Sequence, residues 1–180
     1  MENTESNTKD YESLAMQIAA MLHSGQVRKY TGEPYVWHCI EVANILRGRG
    51  YVGDIVCAAL LHDVIEDTEM SAREMRALFP DSIVSLVLEV TDISTTLDGN
   101  REKRKNIDRD HLSMASAHGQ TIKLADLISN TKSIVAHDRN FAKVYLKEKQ
   151  KLLEVLTKGD KILWSRAQAQ LLEAQELIKE

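Results

Sequence analysis

In the segment Leu61-His62-Asp63-Val64-Ile65-Glu66-Asp67-Thr68 a histidine and an aspartate stand side by side, and two more carboxylates follow within one helical turn. On a helix, Glu66 falls four residues after His62 and Asp67 four after Asp63, so each pair shares a face. The run before it, Ile55 to Leu61, is apolar and reads as the end of a buried helix. Ionisable groups in that position are costly unless something compensates them. A divalent cation does so, because imidazole and carboxylate are ligands for transition and hard metals. The plainer alternative is a solvated helix end carrying ordinary surface acids.

Two further residues favour the cation. His38 lies in Tyr35-Val36-Trp37-His38, among aromatic and apolar neighbours, and Asp126 interrupts the apolar run of Thr121 to Ile128. Either alone reads as a hydrogen-bonded core residue. Together, His38, His62, Asp63 and Asp126 bring two nitrogens and two carboxylates to one ion from three helices, and leave positions open for water or substrate.

The ordered set and its surroundings resemble the HD-domain phosphohydrolases. They are most similar to the hydrolase domain of the RelA/SpoT alarmone enzymes in its stand-alone form, the small alarmone hydrolases. The stretches that carry the resemblance are His23 to Lys29, Thr31 to His38, Leu60 to Thr68, Val90-Thr91-Asp92, and Lys123 to Asp126 with Asn130; they span roughly residues 20 to 135. The resemblance implies an all-α HD-domain bundle of about eight to ten helices. It implies one manganese ion held by His38, His62, Asp63 and Asp126. It also implies loss of the 3′-pyrophosphate from a stringent-response alarmone, ppGpp or ppApp. It assigns Glu66 and Asp67 to catalysis, Arg28 and Lys29 to phosphate contacts, and Asn130 to the nucleoside. The chain departs from the family pattern after Asp126, where a basic residue and a later His-Asn are usual and Leu127-Ile128-Ser129-Asn130 stands instead.

Such a hydrolysis needs a water made nucleophilic, neutralisation of the spreading negative charge, and a carboxylate to orient the water. Glu66 and Asp67, one turn beyond the ligands, suit the last task. Arg28 and Lys29, in a glycine-containing loop, are free to swing over phosphates, and arginine offers a bidentate fork. Arg104, in the charged stretch 101–109, belongs to a second candidate phosphate patch, although interleaved acids also suit a solvated face. Lys143 and Tyr145 are candidate lining residues of the nucleotide pocket. His137-Asp138 repeats the dipeptide without its apolar run or acidic pair, and reads as a helix end followed by a cap.

The elements that position these residues are helical in spacing, with only two prolines and eight glycines among 180 residues. The apolar periodicity predicts helices over 10–24, 35–47, 53–66, 82–91, 101–116, 119–136, 139–157 and 160–178. A short helix over 71–79 is marked by the capping box Ser71 and Glu74. Gly159 sits where a C-cap glycine is expected. Residues 1–10 are polar and read as a disordered tip, neither signal peptide nor anchor. Residues 11–180 read as a single domain. The last helix has the look of a packing or homodimer helix.

The hydrophobic share is 43% and the net charge −4. That balance argues against a general nucleic-acid binder, and no apolar run approaches the roughly 20 residues of a membrane span. The two cysteines, Cys39 and Cys57, read as buried thiols of a cytoplasmic protein. A competing reading is another HD-type phosphatase or nucleotidase, acting on a phosphorylated nucleotide such as NADPH. A third is a metal- and nucleotide-binding sensor, which would have no use for Glu66 and Asp67.

Overall fold

The computed structural model describes residues 2–179, with side chains over 11–179. The tip expected over residues 1–10 lies outside the residues whose side chains are described. Among the described residues the chain is all-α, with ten α-helices, one 3-10 turn at Thr96–Asp98 and no strand beyond an isolated bridge between Val27 and Pro34. It divides into two compact units, Met1–Thr91 and Asp92–Glu180.

The first unit holds α1 (Glu2–Leu22), α2 (Val36–Arg47), α3 (Asp54–Leu61), α4 (Val64–Asp67), α5 (Ala72–Leu78) and α6 (Asp81–Val90). Helix α3 is its axis: α1, α2 and α6 pack on it, and every residue from Ile55 to Leu61 is buried. A helix apolar all round must be covered on all sides. Burying each of its larger side chains contributes about 1.5–3 kcal/mol, so the end of α3 is held rigidly. The capping box of α5 forms as expected: Ser71 Oγ accepts from Glu74 N–H, and the Glu74 carboxylate accepts from Ser71 N–H at 2.8 Å.

The helix expected over 53–66 is not continuous. It stops at Leu61, and α4 starts again at Val64. Asp63 takes φ −96°, ψ −4°, the sparsely populated bridge region where active-site residues often sit. The relation of Asp63 to Asp67 survives, since Asp67 N–H donates to Asp63 O at 2.8 Å.

The second unit holds α7 (Arg101–Met114), α8 (Ala117–His137), α9 (Arg139–Val155) and α10 (Lys161–Leu177). Helix α8 packs on α9 and α10, and α7 packs on α9. Asp138 closes α8 and caps α9, where its carboxylate accepts from Phe141 N–H at 2.9 Å. Gly159 is not a C-cap: α9 already ends at Val155 with Leu156 as its cap. Glycine is needed there for close approach, because a Cβ would lie 2.7 Å from Leu124 Cδ1 and 3.2 Å from the Gln120 carbonyl carbon. No helix among the described residues is long and apolar enough to cross a membrane.

Candidate functional site

The end of α3 delivers His62, and the break after it delivers Asp63. His62 is buried, and its Nδ1 lies 2.9 Å from Ala59 O. A carbonyl only accepts, so Nδ1 carries the proton and the Nε2 lone pair points away from it. That Nε2 lies 3.1 Å from Asp63 Oδ2, and His38 Nε2, from α2, lies 3.6 Å from the same oxygen. A nitrogen lone pair and a carboxylate oxygen this close need a proton or a cation between them. The donor set of two imidazoles and one carboxylate therefore fits a divalent metal.

Neighbouring residues hold these side chains in place. Tyr35, just before α2, donates its hydroxyl to Asp63 Oδ2 at 2.7 Å. The two histidine rings meet edge to face with centroids 5.2 Å apart. Tyr35 also lies against His23, whose Nδ1 is 2.8 Å from Gln26 Oε1, and Gln26 in turn donates to Asp67 O at 2.9 Å. Cys39 is buried, and its Sγ lies within 4.8 Å of ligand atoms of His62 and Asp63. Sequence reasoning did not single out Tyr35, His23 or Gln26 as supports. Their signal was available, because all three fall inside the stretches that carry the resemblance.

Glu66 and Asp67 sit on the exposed face of α4. Loss of water on the crowded side of the Asp67 carboxyl group, and then the nearby Asp63 carboxylate, raise its pKa above the usual aspartate value; Tyr35, His23 and His62 pull it part of the way back. Arg28 and Lys29 stand in a more ordered loop than a free phosphate flap. Val27 bridges Pro34, Arg28 N–H donates to Glu33 O at 2.8 Å, and Gly32 turns the chain at φ 71°. Arg28 pairs with Glu41 at 3.2 Å, and Lys29 is exposed beside the Tyr30 ring.

In the second unit, Asp126 is buried on α8. Lys123 Nζ lies 2.8 Å from its Oδ2, and Asn130 Nδ2 donates to its Oδ1 at 2.5 Å. Asn130 thus serves Asp126 as well as the space in front of it. That space is a cavity of about 530 Å³ enclosed by α7, α8 and α9, lined among others by Asp126, Asn130, Tyr145, Arg101 and Lys105. Tyr145 is among the residues that line this cavity. Lys143 is not: it points from the exposed face of α9, where Val144, Tyr145, Lys147 and Glu148 take the lining positions. Arg104 is also outside the lining, and α7 presents Arg101, Lys105 and Arg109 instead. Helical spacing explains the substitution, since residues three and four apart share a face and Arg104 lies on the flank.

Comparison with known proteins places this geometry. The HD domain family matches residues 15–156. Over 122 residues the chain is 37% identical to the guanosine-3′,5′-bis(diphosphate) 3′-pyrophosphohydrolase MESH1 of Drosophila melanogaster, covering 66% of each chain. It is 37% identical over 125 residues to a probable guanosine-3′,5′-bis(diphosphate) 3′-pyrophosphohydrolase of Synechocystis sp., covering 68% of this chain and 16% of that one. The match therefore spans just under two thirds of the fly protein and a small part of the cyanobacterial one. A solved structure described as a metazoan ortholog of SpoT that hydrolyzes ppGpp superposes with a TM-score of 0.82 at 27% identity, over 91% of this chain and 94% of that one.

Proposed function

The chain belongs to the HD-domain family, and from that premise we propose that it is a metal-dependent pyrophosphohydrolase acting on ppGpp. It removes the 3′-pyrophosphate to leave GDP. The observation that supports the reading best is the convergence of His62 Nε2 and His38 Nε2 on Asp63 Oδ2, a donor set that suits a divalent cation. On the family pattern Asp126 is the fourth ligand and manganese is the ion. When bound, the ion supplies Lewis acidity, strengthening water as a nucleophile and offsetting phosphoryl charge.

The chain's own residues do the rest. Glu66 and Asp67 orient the attacking water and take its proton. Burial and the Asp63 carboxylate raise the Asp67 pKa above the ordinary aspartate value, which strengthens it as a proton acceptor. The water oxygen bonds to the proximal phosphorus of the 3′-pyrophosphate, the bond from phosphorus to the ribose 3′ oxygen breaks, and that oxygen takes up a proton. Arg28 and Lys29 bind the departing pyrophosphate, with Arg28 exchanging its Glu41 partner for a phosphate oxygen. Asn130 and Tyr145 hold the nucleoside end. The cytoplasm is the expected location, where the free, buried thiols of Cys39 and Cys57 stay reduced.

The test is incubation of the purified protein with ppGpp and with ppApp, in manganese and in chelator, with products separated by anion exchange. Metal-dependent release of pyrophosphate supports the reading and reports the base preference. Absence of turnover with metal bound overturns it in favour of another phosphorylated nucleotide.

A further inference from the structure

The break at Asp63 separates α4 from the rigid end of α3, so the turn that carries Glu66 and Asp67 needs another support. Helix α4 has four residues, of which Val64 alone is buried, and a single helical turn does not hold itself in water. Its own hydrogen bonds, Asp67 N–H to Asp63 O at 2.8 Å and the Thr68 hydroxyl to Val64 O at 2.7 Å, stay within the segment. The last carbonyls of a helix lack an intrahelical partner. That of Asp67 accepts from Gln26 Nε2 at 2.9 Å, and Gln26 stands in the turn after α1.

The polarity of this contact is fixed. A carbonyl only accepts, so the NH2 end of the Gln26 amide faces Asp67 and its Oε1 faces the other way. There Oε1 meets His23 Nδ1 at 2.8 Å. An amide oxygen also only accepts, so Nδ1 carries a proton and donates it. His23 thereby selects one of the two orientations of the Gln26 amide, the one that donates to Asp67. The His23 ring is buried, and its Nε2 has no hydrogen-bond partner among the described residues. A buried nitrogen left unsatisfied is costly, and an apolar side chain would not carry that cost. What histidine supplies there is the Nδ1–H aimed at Gln26.

The same group of residues holds the proposed ligand Asp63. Gln26 O accepts from Tyr35 N–H at 2.9 Å, the Tyr35 ring lies against that of His23 with centroids 4.9 Å apart, and the Tyr35 hydroxyl donates to Asp63 Oδ2 at 2.7 Å. Gln26 and Tyr35 also close the base of the loop that carries Arg28 and Lys29, and one residue further in Val27 bridges Pro34. We infer that Gln26, oriented by His23, is a positioning residue that fixes Asp67 relative to Asp63 and to the base of the Arg28–Lys29 loop. The inference deepens the phosphohydrolase reading and rests on it for the task of Asp67.

The experiment uses the full chain with manganese and ppGpp at about pH 8, where a glutamate is ionised. In Gln26→Glu the carboxylate still accepts from His23 but has no hydrogen to give Asp67. It is expected to lower kcat about tenfold, the worth of one hydrogen bond, with KM changed by less than about twofold and metal content unchanged. Gln26→Met deletes the amide without adding charge and should show the same split. His23→Phe keeps the ring and frees the amide to turn over, so its effect should be smaller than either. In an Asp67→Asn background, Gln26→Met should cost less than about a further twofold, because the group it positions no longer acts. A general loosening of the fold would multiply in full. A second arm needs no substrate. Amide hydrogen exchange at Asp67 and Thr68 should quicken about tenfold in both Gln26 variants, with the α3 amides of Ala59 and Leu60 unchanged. If exchange quickens while ppGpp is not turned over, the alarmone reading falls and the support of the α4 turn by Gln26 stands. Unchanged kcat in both Gln26 variants, the full loss in the Asp67→Asn background, or unchanged exchange at Asp67 and Thr68 overturns the inference.

Discussion

The His62–Asp63 cluster of the first unit and the cavity of the second solve the problem of buried polarity in opposite ways. In the first, two imidazoles and a carboxylate converge within 3.6 Å, and only a proton or cation reconciles them. In the second, opposite charges are paired across helices, as in the Arg101–Glu148 fork with contacts of 2.7 and 2.9 Å, and one cation, Lys149, is left to neutral partners. A cluster of acceptors suits a cation. A cavity lined by more lysines and arginines than acids favours a ligand of opposite sign. The contrast predicts that mutations in the first region abolish chemistry and those in the second change recognition and stability.

The largest expected effect is His62→Ala, which removes one of the proposed ligands and leaves Asp63 with His38 and Tyr35. Metal content by atomic emission should fall, and turnover should drop to background. Glu66→Gln should lower kcat by about 10²–10⁴-fold while metal content stays near normal. Loss of metal in that variant would place Glu66 among the ligands and blur the division between the regions.

In the second unit the readout is stability. Gly159→Ala pushes a Cβ to 2.7 Å from Leu124 and should destabilise by about 1–3 kcal/mol in urea melts. Lys149→Met should instead stabilise by about 1–3 kcal/mol, since an unpaired buried charge gives way to a packed apolar chain. The sign with pH follows from a folded pKa of about 8, below the ordinary lysine value of 10.5. The unfolded chain binds the extra proton between those values, so wild-type stability rises with pH across that interval. The advantage of methionine is therefore full below pH 8 and disappears by about 10.5. The smallest effect is Ser71→Ala, which removes the α5 cap and should cost about 1 kcal/mol.

The two regions were also unequally legible from sequence. His62, Asp63, Glu66 and Asp67 fall within one six-residue stretch, so their types and spacing point to a candidate site before any fold is known. The capping box and the cap at Asp138 are local signals, and each appears where expected. The break at Asp63 was not legible, because periodicity reports a face and not a backbone dihedral. Gly159 was read as a cap because sequence shows a glycine after a helix but not the α8 side chain pressed against it. Lys149 was the least legible: in a run of alternating charge it looks solvated, and only the packing of three helices buries it. Lys143 and Arg104 lie outside the cavity lining for the same reason, since the faces of α7 and α9 that turn to the cavity are set by tertiary packing.

The most direct test of the central claim is pyrophosphate release from ppGpp, measured with manganese and with chelator in the wild type and in Asp63→Asn. The account predicts GDP and pyrophosphate from the wild type in manganese alone, and neither product from Asp63→Asn. Equal release in chelator, or turnover that survives loss of the Asp63 charge, would contradict it.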